Sequence, residues 1–225
     1  MFREIAHFIR IVPPLLKLQK ELSEARFFDE ISTRVDGEGF DKIRNTLIGD
    51  LEGRVLEIGG GTGAMFPYYG PAARVEAIEP DPDFLAIAQE RAGRTAGRVR
   101  ATRGDGMALD FPDASFDAVV LGMVLCSVPS MERVLTEAFR VLKPGARLRA
   151  LEHVRSAGAV SGIAMDLFNP IWLRMNKHGC NLNRRPRQAI ADSGFVIDNV
   201  RDFQFFYKAM PAFLLQQIEA TRPAT

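Results

Sequence analysis

Nine residues, Val55-Leu56-Glu57-Ile58-Gly59-Gly60-Gly61-Thr62-Gly63, constrain this chain more than any other stretch. An apolar run that ends in glycines reads as a buried strand passing into a sharp turn. Glycine reaches conformations closed to other residues and lets the backbone come close to a ligand. The pattern predicts that the turn opens a helix at about Thr62 or Gly63, whose free N–H groups would face a polar or anionic ligand. Such a unit places a nucleoside-containing small molecule at the C-terminal end of the first strand.

Glycines alone leave the ligand open. Gly59, Gly61 and Ala64 satisfy the dinucleotide pattern G-x-G-x-x-G/A, and Glu79 lies twenty residues beyond Gly59. Three features argue against a dinucleotide. Glu57 places a carboxylate at an apolar strand end, where it would repel a pyrophosphate and attract an ammonium. A substantial stretch of chain precedes the first strand. A second acidic turn, Arg103-Gly104-Asp105-Gly106-Met107, follows the third strand. Carboxylates at three successive strand ends suit S-adenosylmethionine, which carries an ammonium, a ribose diol and an adenine amino group but no phosphate.

Four segments in order resemble the class I S-adenosylmethionine-dependent methyltransferases of the type-11 small-molecule group. They are VLEIGGGTG at 55–63, VEAIEPDPDFLAIAQERA at 75–92, RGDGMALDFPDASFDAVV at 103–120 and EAFRVLKPGARL at 137–148. The resemblance is strong from Gly53 to Gly145. It implies an α/β, Rossmann-like fold: a seven-stranded, mostly parallel sheet with an antiparallel last strand and helices on both faces. A narrower similarity, to the methyltransferase-like thiol S-methyltransferases, rests on Leu125-Cys126-Ser127-Val128, Glu152-His153-Val154, Pro170-Ile171-Trp172 and Gly179-Cys180-Asn181-Leu182. Some bacterial phospholipid N-methyltransferases are similar as well.

Two units are expected: an N-terminal helical cap over 1–48, and a cofactor-binding domain over 49–225 with a substrate-side insertion near 153–182. Residues 1–24 read as amphipathic helix, with Phe2, Ile5, Ile9 and Val12 on one stripe and Pro13-Pro14 dividing it. That segment either covers the acceptor pocket or docks on a membrane surface. Phe27 to Gly39 reads as a loop-prone joint, and Asp41 as the cap of a helix through Ile48. Strands are placed near 54–58, 74–79, 98–103, 117–122, 146–152, 195–201 and 212–221. Helices are placed near 62–69, 82–93, 130–141 and 184–193. Asp81-Pro82 and Pro129-Ser130 mark helix starts, and Lys143-Pro144-Gly145 marks a stop followed by a turn.

Within this frame Glu57 accepts from the cofactor's ammonium, and Gly59, Gly60, Gly61 and Gly63 lie against its methionine portion. Glu79, with Pro80 beside it, takes both ribose hydroxyls, since a carboxylate has two acceptor oxygens. Asp105 accepts from the adenine amino group, while the backbone N–H of Gly106 or Met107 reaches a ring nitrogen. Met123 begins one wall of the pocket. His153, after the fifth strand, is the candidate general base, with a purely structural histidine as the equal alternative. Trp172 and His178 are candidates for the acceptor side. Arg184, Arg185 and Arg187 read as a solvated basic face, with anion binding as the lesser reading.

A net charge of +1 over 225 residues supplies no field to gather nucleic acid. Cys126 and Cys180 make no disulfide framework, and neither is spaced from a histidine as a metal ligand would be, so no metal is expected. No apolar run reaches the ~20 residues of a membrane span, and no leader is evident, which makes a reducing cytoplasm the default. The expected activity is methyl transfer to a small, largely apolar acceptor, thiol sulfur favoured and oxygen or nitrogen open. The alternatives are a phospholipid or quinone-type methyltransferase at the membrane surface, and a cofactor-binding protein without catalysis.

Overall fold

The computed structural model describes residues 18–175, 179–205 and 213–224. The strands are β1 (Gly53–Ile58), β2 (Ala73–Glu79), β3 (Val99–Arg103), β4 (Phe116–Gly122), β5 (Leu142–His153), β6 (Val196–Phe205) and β7 (Phe213–Thr221). They form one sheet in the order β3-β2-β1-β4-β5-β7-β6. The strands β1 to β5 pair in parallel, and β7 runs antiparallel to both of its neighbours. The expected mostly parallel sheet with a reversed last strand is therefore present. Strand order turns back between β1 and β4, which opens a crevice at their C-terminal ends.

Alternation along each strand builds a core on both faces. Leu56, Ile58, Ile78, Val119, Leu121, Leu148 and Ala150 face one way, against Val134, Leu135, Ala138 and Ile190. Val55, Val75, Ala77, Ala118, Val120 and Leu151 face the other, against Leu47, Ile48, Leu85 and Ala88. The helices supplying these residues are α2 (Asp41–Ile48), α3 (Pro82–Ala92), α4 (Met131–Val141) and α6 (Pro186–Asp192); α1 (Glu24–Val35) and α5 (Ala159–Met175) are further helices. Asp81 caps α3 by accepting from Asp83 and Phe84 N–H, and Ser130 caps α4 by accepting from Arg133 N–H. Both starts agree with the sequence.

Four sequence expectations are corrected. No α-helix spans 62–69; that stretch holds turns and one short 3-10 segment, Phe66–Tyr68. Gly61 and Gly63 take positive φ, and Pro67 has no N–H to continue a helix. Residues 27–39 are not a loop, since most of them lie in α1. Its helical state is fixed by tertiary bonds, Asp29 to Arg91 and Ser32 to Arg44. Asp41 is not an N-cap, because α1 runs through a π-helical segment, Asp36–Phe40, directly into α2 and kinks at Gly39. Lys143-Pro144-Gly145 is not a turn but the start of β5. A register shift against β4 and the positive φ of Gly145 absorb the proline and glycine within the strand. The insertion after β5 is largely α5, which carries Pro170 in its interior. Most of the amphipathic reading of 1–24 lies outside the described residues, as does His178.

Candidate active site

The C-terminal ends of β1 to β5, along one edge of the sheet, carry most of the residues singled out in the sequence. Glu57 is 2% exposed and faces the α2/α3 side of the sheet, where its Oε2 accepts from the Tyr69 hydroxyl at 2.8 Å. Burial pushes its carboxyl up from 4.5 to about 8; the Tyr69 bond and the nearby Arg44 charge oppose that rise. Glu79 ends β2. One of its oxygens accepts from Gly61 N–H at 2.9 Å and the other from Asp81 N–H at 3.1 Å. Burial raises this carboxyl too, against those two bonds. The acid therefore braces the glycine turn, and each oxygen keeps a lone pair for a hydroxyl.

The glycine turn is held as well as flexible. Gly60 N–H donates to Ile78 O at 2.9 Å, and Arg91 reaches Thr62 O at 2.8 Å while pairing with Asp29 of α1. A side chain at Gly59 would collide with Val124, and one at Gly63 with the Phe66 ring. The Thr62 hydroxyl is buried and has no hydrogen-bond partner among the described residues. An orphaned buried hydroxyl beside two buried acids is what a polar ligand lying on the turn would complete.

Asp105 sits on the exposed side of the third acidic turn and accepts from Met107 N–H at 2.9 Å. The Met107 N–H is thus engaged within the turn. Gly106 must be glycine, because a Cβ there would lie 2.5 Å from Ile58 Cγ2. Met123 adopts φ 65°, unusual for a side chain of this size, and its N–H donates to Leu151 O at 2.7 Å. Pro80 is exposed between Glu79 and Asp81.

The end of β5 holds what the sequence did not show. Glu152, fully buried, accepts from the N–H groups of Val124, Leu125 and Cys126 at 2.8, 2.8 and 3.1 Å and so shapes the turn after β4. His153 Nδ1 lies 3.1 Å from Cys180 Sγ, and Cys126, His153 and Cys180 place their ligand atoms within 4.8 Å of one another. Chain spacing gave no sign of this grouping: each neighbouring pair is 27 positions apart in the sequence, and the fold closes both gaps. Trp172 donates its indole N–H to Cys180 O at 2.9 Å and so braces this cluster. Arg155, Arg184, Arg185 and Arg187 line a separate open cleft of about 460 Å³.

Residues 56–150 match the family described as Methyltransferase domain. That segment is a methyltransferase domain of the class I, S-adenosylmethionine-dependent kind. Thiol S-methyltransferase TMT1A of Homo sapiens is 37% identical to this chain over 147 residues, 63% of this chain and 59% of that one. The C-methyltransferase UbiE of ubiquinone/menaquinone biosynthesis from Methylobacterium nodulans is 36% identical over 141 residues, 58% of this chain and 56% of that one. The chain thus spans less than two thirds of either relative. Geranyl diphosphate C-methyltransferase of Streptomyces coelicolor A3(2) superposes with a TM-score of 0.64 at 15% identity, over 86% of this chain and 84% of that one, a likeness of fold.

The cofactor of this family is S-adenosylmethionine, and Glu57, Glu79, the glycine turn and the Thr62 hydroxyl offer polar groups that fit it at the β1–β4 crevice. Sequence reasoning missed Tyr69, Thr62 and Glu152. Tyr69 was hidden because the expected helix over 62–69 would have pointed it elsewhere. Glu152 gave a signal, a carboxylate in the apolar end of β5, of the kind that identified Glu57 at the end of β1.

Proposed function

We propose that the chain transfers the methyl group of S-adenosylmethionine to the sulfur of a small, largely apolar thiol. One arrangement carries this reading: the acids Glu57, Glu79 and Asp105 lie along one sheet edge beside the glycine turn, and the His153–Cys180 pair lies at the end of β5 on that same edge. The similarity to TMT1A supports sulfur as the acceptor atom. The bound cofactor supplies a methyl carbon already activated by its sulfonium.

The protein's own part is alignment. Glu57, meeting an ammonium, gains a charge partner that holds its carboxyl ionised despite burial. Glu79 takes the ribose hydroxyls on the lone pairs its backbone bonds leave, and Asp105 takes the adenine amino group. Met123 closes the wall between cofactor and acceptor. His153 assists loss of the acceptor's proton, a modest task for a thiol of ordinary pKa ~8.5. Holding the sulfur in line with the methyl is worth several kcal/mol of barrier.

A second reading, action on a membrane-borne acceptor, is favoured by α5. Its Val160, Ile163, Leu167 and Ile171 recur on one stripe and are 83%, 57%, 75% and 52% exposed. Among the described residues no helix is long and apolar enough to cross a membrane. The test is incubation with S-adenosylmethionine and a panel of thiols, phenols, amines and quinols, with S-adenosylhomocysteine and methylated product read by mass spectrometry. Product with thiols alone supports sulfur transfer. Turnover confined to another class overturns it, and cofactor binding without any product marks a non-catalytic binding protein.

A further inference from the structure

Cys126, His153 and Cys180 come from three separate places: the turn after β4, the last residue of β5, and the segment that follows α5. Their convergence is enforced by an elaborate scaffold. Glu152 fixes the Cys126 N–H. Asn181 donates both its backbone N–H and its side-chain amide to Cys126 O, at 2.7 and 3.1 Å. Buried Asn169 donates to Asn181 Oδ1 at 3.1 Å and accepts from Leu182 N–H at 2.8 Å. Trp172 holds Cys180 O. Two amides, one indole and one buried carboxylate are thus committed to placing two thiols and an imidazole side by side. Methyl transfer by alignment alone gives no reason for the second thiol.

The donor set and its size suit a metal ion. Tetrahedral zinc holds sulfur at about 2.3 Å and imidazole nitrogen at about 2.0–2.1 Å, which puts the ligand atoms roughly 3.5–4 Å apart. Here they span 3.1 Å between Nδ1 and Sγ of Cys180, and all lie within 4.8 Å. Two thiolates and an imidazole select a soft or borderline ion of the zinc class over magnesium or calcium. Three protein ligands among the described residues leave a fourth position for an exchangeable group, the arrangement of catalytic rather than structural zinc.

We propose that Cys126, His153 and Cys180 bind one zinc-class divalent ion whose fourth position takes the acceptor thiol as its thiolate. The second half rests on the thiol reading above. Binding the acceptor RSH releases its proton to solvent as the sulfur–metal bond forms. The thiolate sulfur then bonds to the methyl carbon, the bond from that carbon to the sulfonium breaks with its electron pair going to the cofactor sulfur, and the neutral thioether leaves the metal. His153 then serves as a ligand, and the ion performs the deprotonation that a base would otherwise supply. The site lies beside the cofactor wall, since Cys126 Sγ is 3.5 Å from Met123 O.

The experiment is titration of the reduced full chain with cobalt(II), a spectroscopic stand-in for zinc, followed by zinc competition. One ion per chain is expected, with thiolate-to-cobalt charge-transfer bands and the intense visible bands of a tetrahedral ion. Cys126→Ser, Cys180→Ser and His153→Ala should each weaken binding by more than about 100-fold, beyond the 10–100-fold cost of losing an outer-shell partner. Trp172→Phe should fall within that lower range. S-adenosylmethionine binding by calorimetry, retained in each variant, shows that the fold is intact. Absence of thiolate bands, affinity unchanged in the variants, or formation of a Cys126–Cys180 disulfide in place of metal uptake overturns the site. Addition of 2-mercaptoethanol to the cobalt-loaded chain should shift the charge-transfer bands. No shift, in a chain that methylates thiols, overturns the fourth-position role. A shift in a chain that methylates no thiol upholds the metal site and strikes only the thiol reading.

Discussion

Glu57→Gln isolates what burial does to the acid at the heart of the crevice. The substitution keeps shape and the acceptor for Tyr69 but removes ionisation. The carboxyl of the folded chain titrates near 8, above its ordinary 4.5. A group whose folded value is raised contributes stability that is complete below the unfolded value and is lost as pH climbs through the folded one. Between pH 4.5 and about 8 the unfolded chain gives up this proton and the folded chain keeps it, so the native protein weakens over that window. At 1.4 kcal/mol per tenfold, the gap is worth roughly 5 kcal/mol in full and about 3 kcal/mol by pH 7. The glutamine variant has no such slope. In urea unfolding of the cofactor-free proteins, the two should be similar near pH 5, and the variant should be more stable by about 3–5 kcal/mol near pH 9. Cofactor binding reverses the preference, because an ammonium favours the ionised acid. The variant should bind S-adenosylmethionine more weakly by about 1–3 kcal/mol. The native chain should release a proton on binding at neutral pH, seen by calorimetry in buffers of different ionisation enthalpy. Stability curves that stay parallel from acid to alkaline pH would refute the reasoning.

Other outcomes follow from single contacts. Glu79→Ala should weaken cofactor binding by about 1–3 kcal/mol and loosen the Gly61 turn, read by calorimetry and by hydrogen exchange at Gly61. Glu152→Ala strands three buried N–H groups and should destabilise the fold by at least ~3 kcal/mol in urea; an effect under about 1 kcal/mol would deny it the organising role. Gly106→Ala should cost about 1–3 kcal/mol by overpacking against Ile58, and adding Ile58→Val should recover part of that in thermal unfolding. His153→Ala should slow transfer to a weakly acidic acceptor by about 100-fold or more, with the loss shrinking for a low-pKa thiol; equal losses across acceptors would count against a proton-accepting role.

The strands were legible because a parallel sheet buries both faces, so β1, β2 and β4 read as apolar runs bounded by turn residues. Glu57 and Glu79 were legible because each ends such a run, and Asp105 because it sits in a glycine turn after β3. Where the sequence misled, tertiary contacts had overruled local preference. Glycines at 37 and 39 looked like a loop, yet α1 and α2 are joined through them, and Phe40, Leu47 and Ile48 anchor the second helix in the core. The helix expected after Thr62 fails against Gly63 and Pro67. In α5 the apolar spacing at 160, 163, 167 and 171 was a helical signal, but it faces outward, where no alternation of strands frames it. The Cys126–His153–Cys180 cluster could not be read from spacing, since only the closure of β4 against β5 and the return of the chain after α5 create it.

The order in which β7 enters the sheet has a consequence for synthesis. It is the last strand made, yet it lies between β5 and β6, and neither touches the other without it. Arg222, just beyond it, reaches the carbonyl oxygens of Phe139, Arg140 and Leu142 and ties the end of β7 to the beginning of β5. A ribosome adding about 5–20 residues per second needs roughly 3–14 s to pass from His153 to Thr221. Through that interval the nascent chain displays β5 as an unpaired edge, open to any other extended segment nearby. Slow codons or a stalled ribosome in this region would therefore lower the yield of native protein without altering a single residue of it.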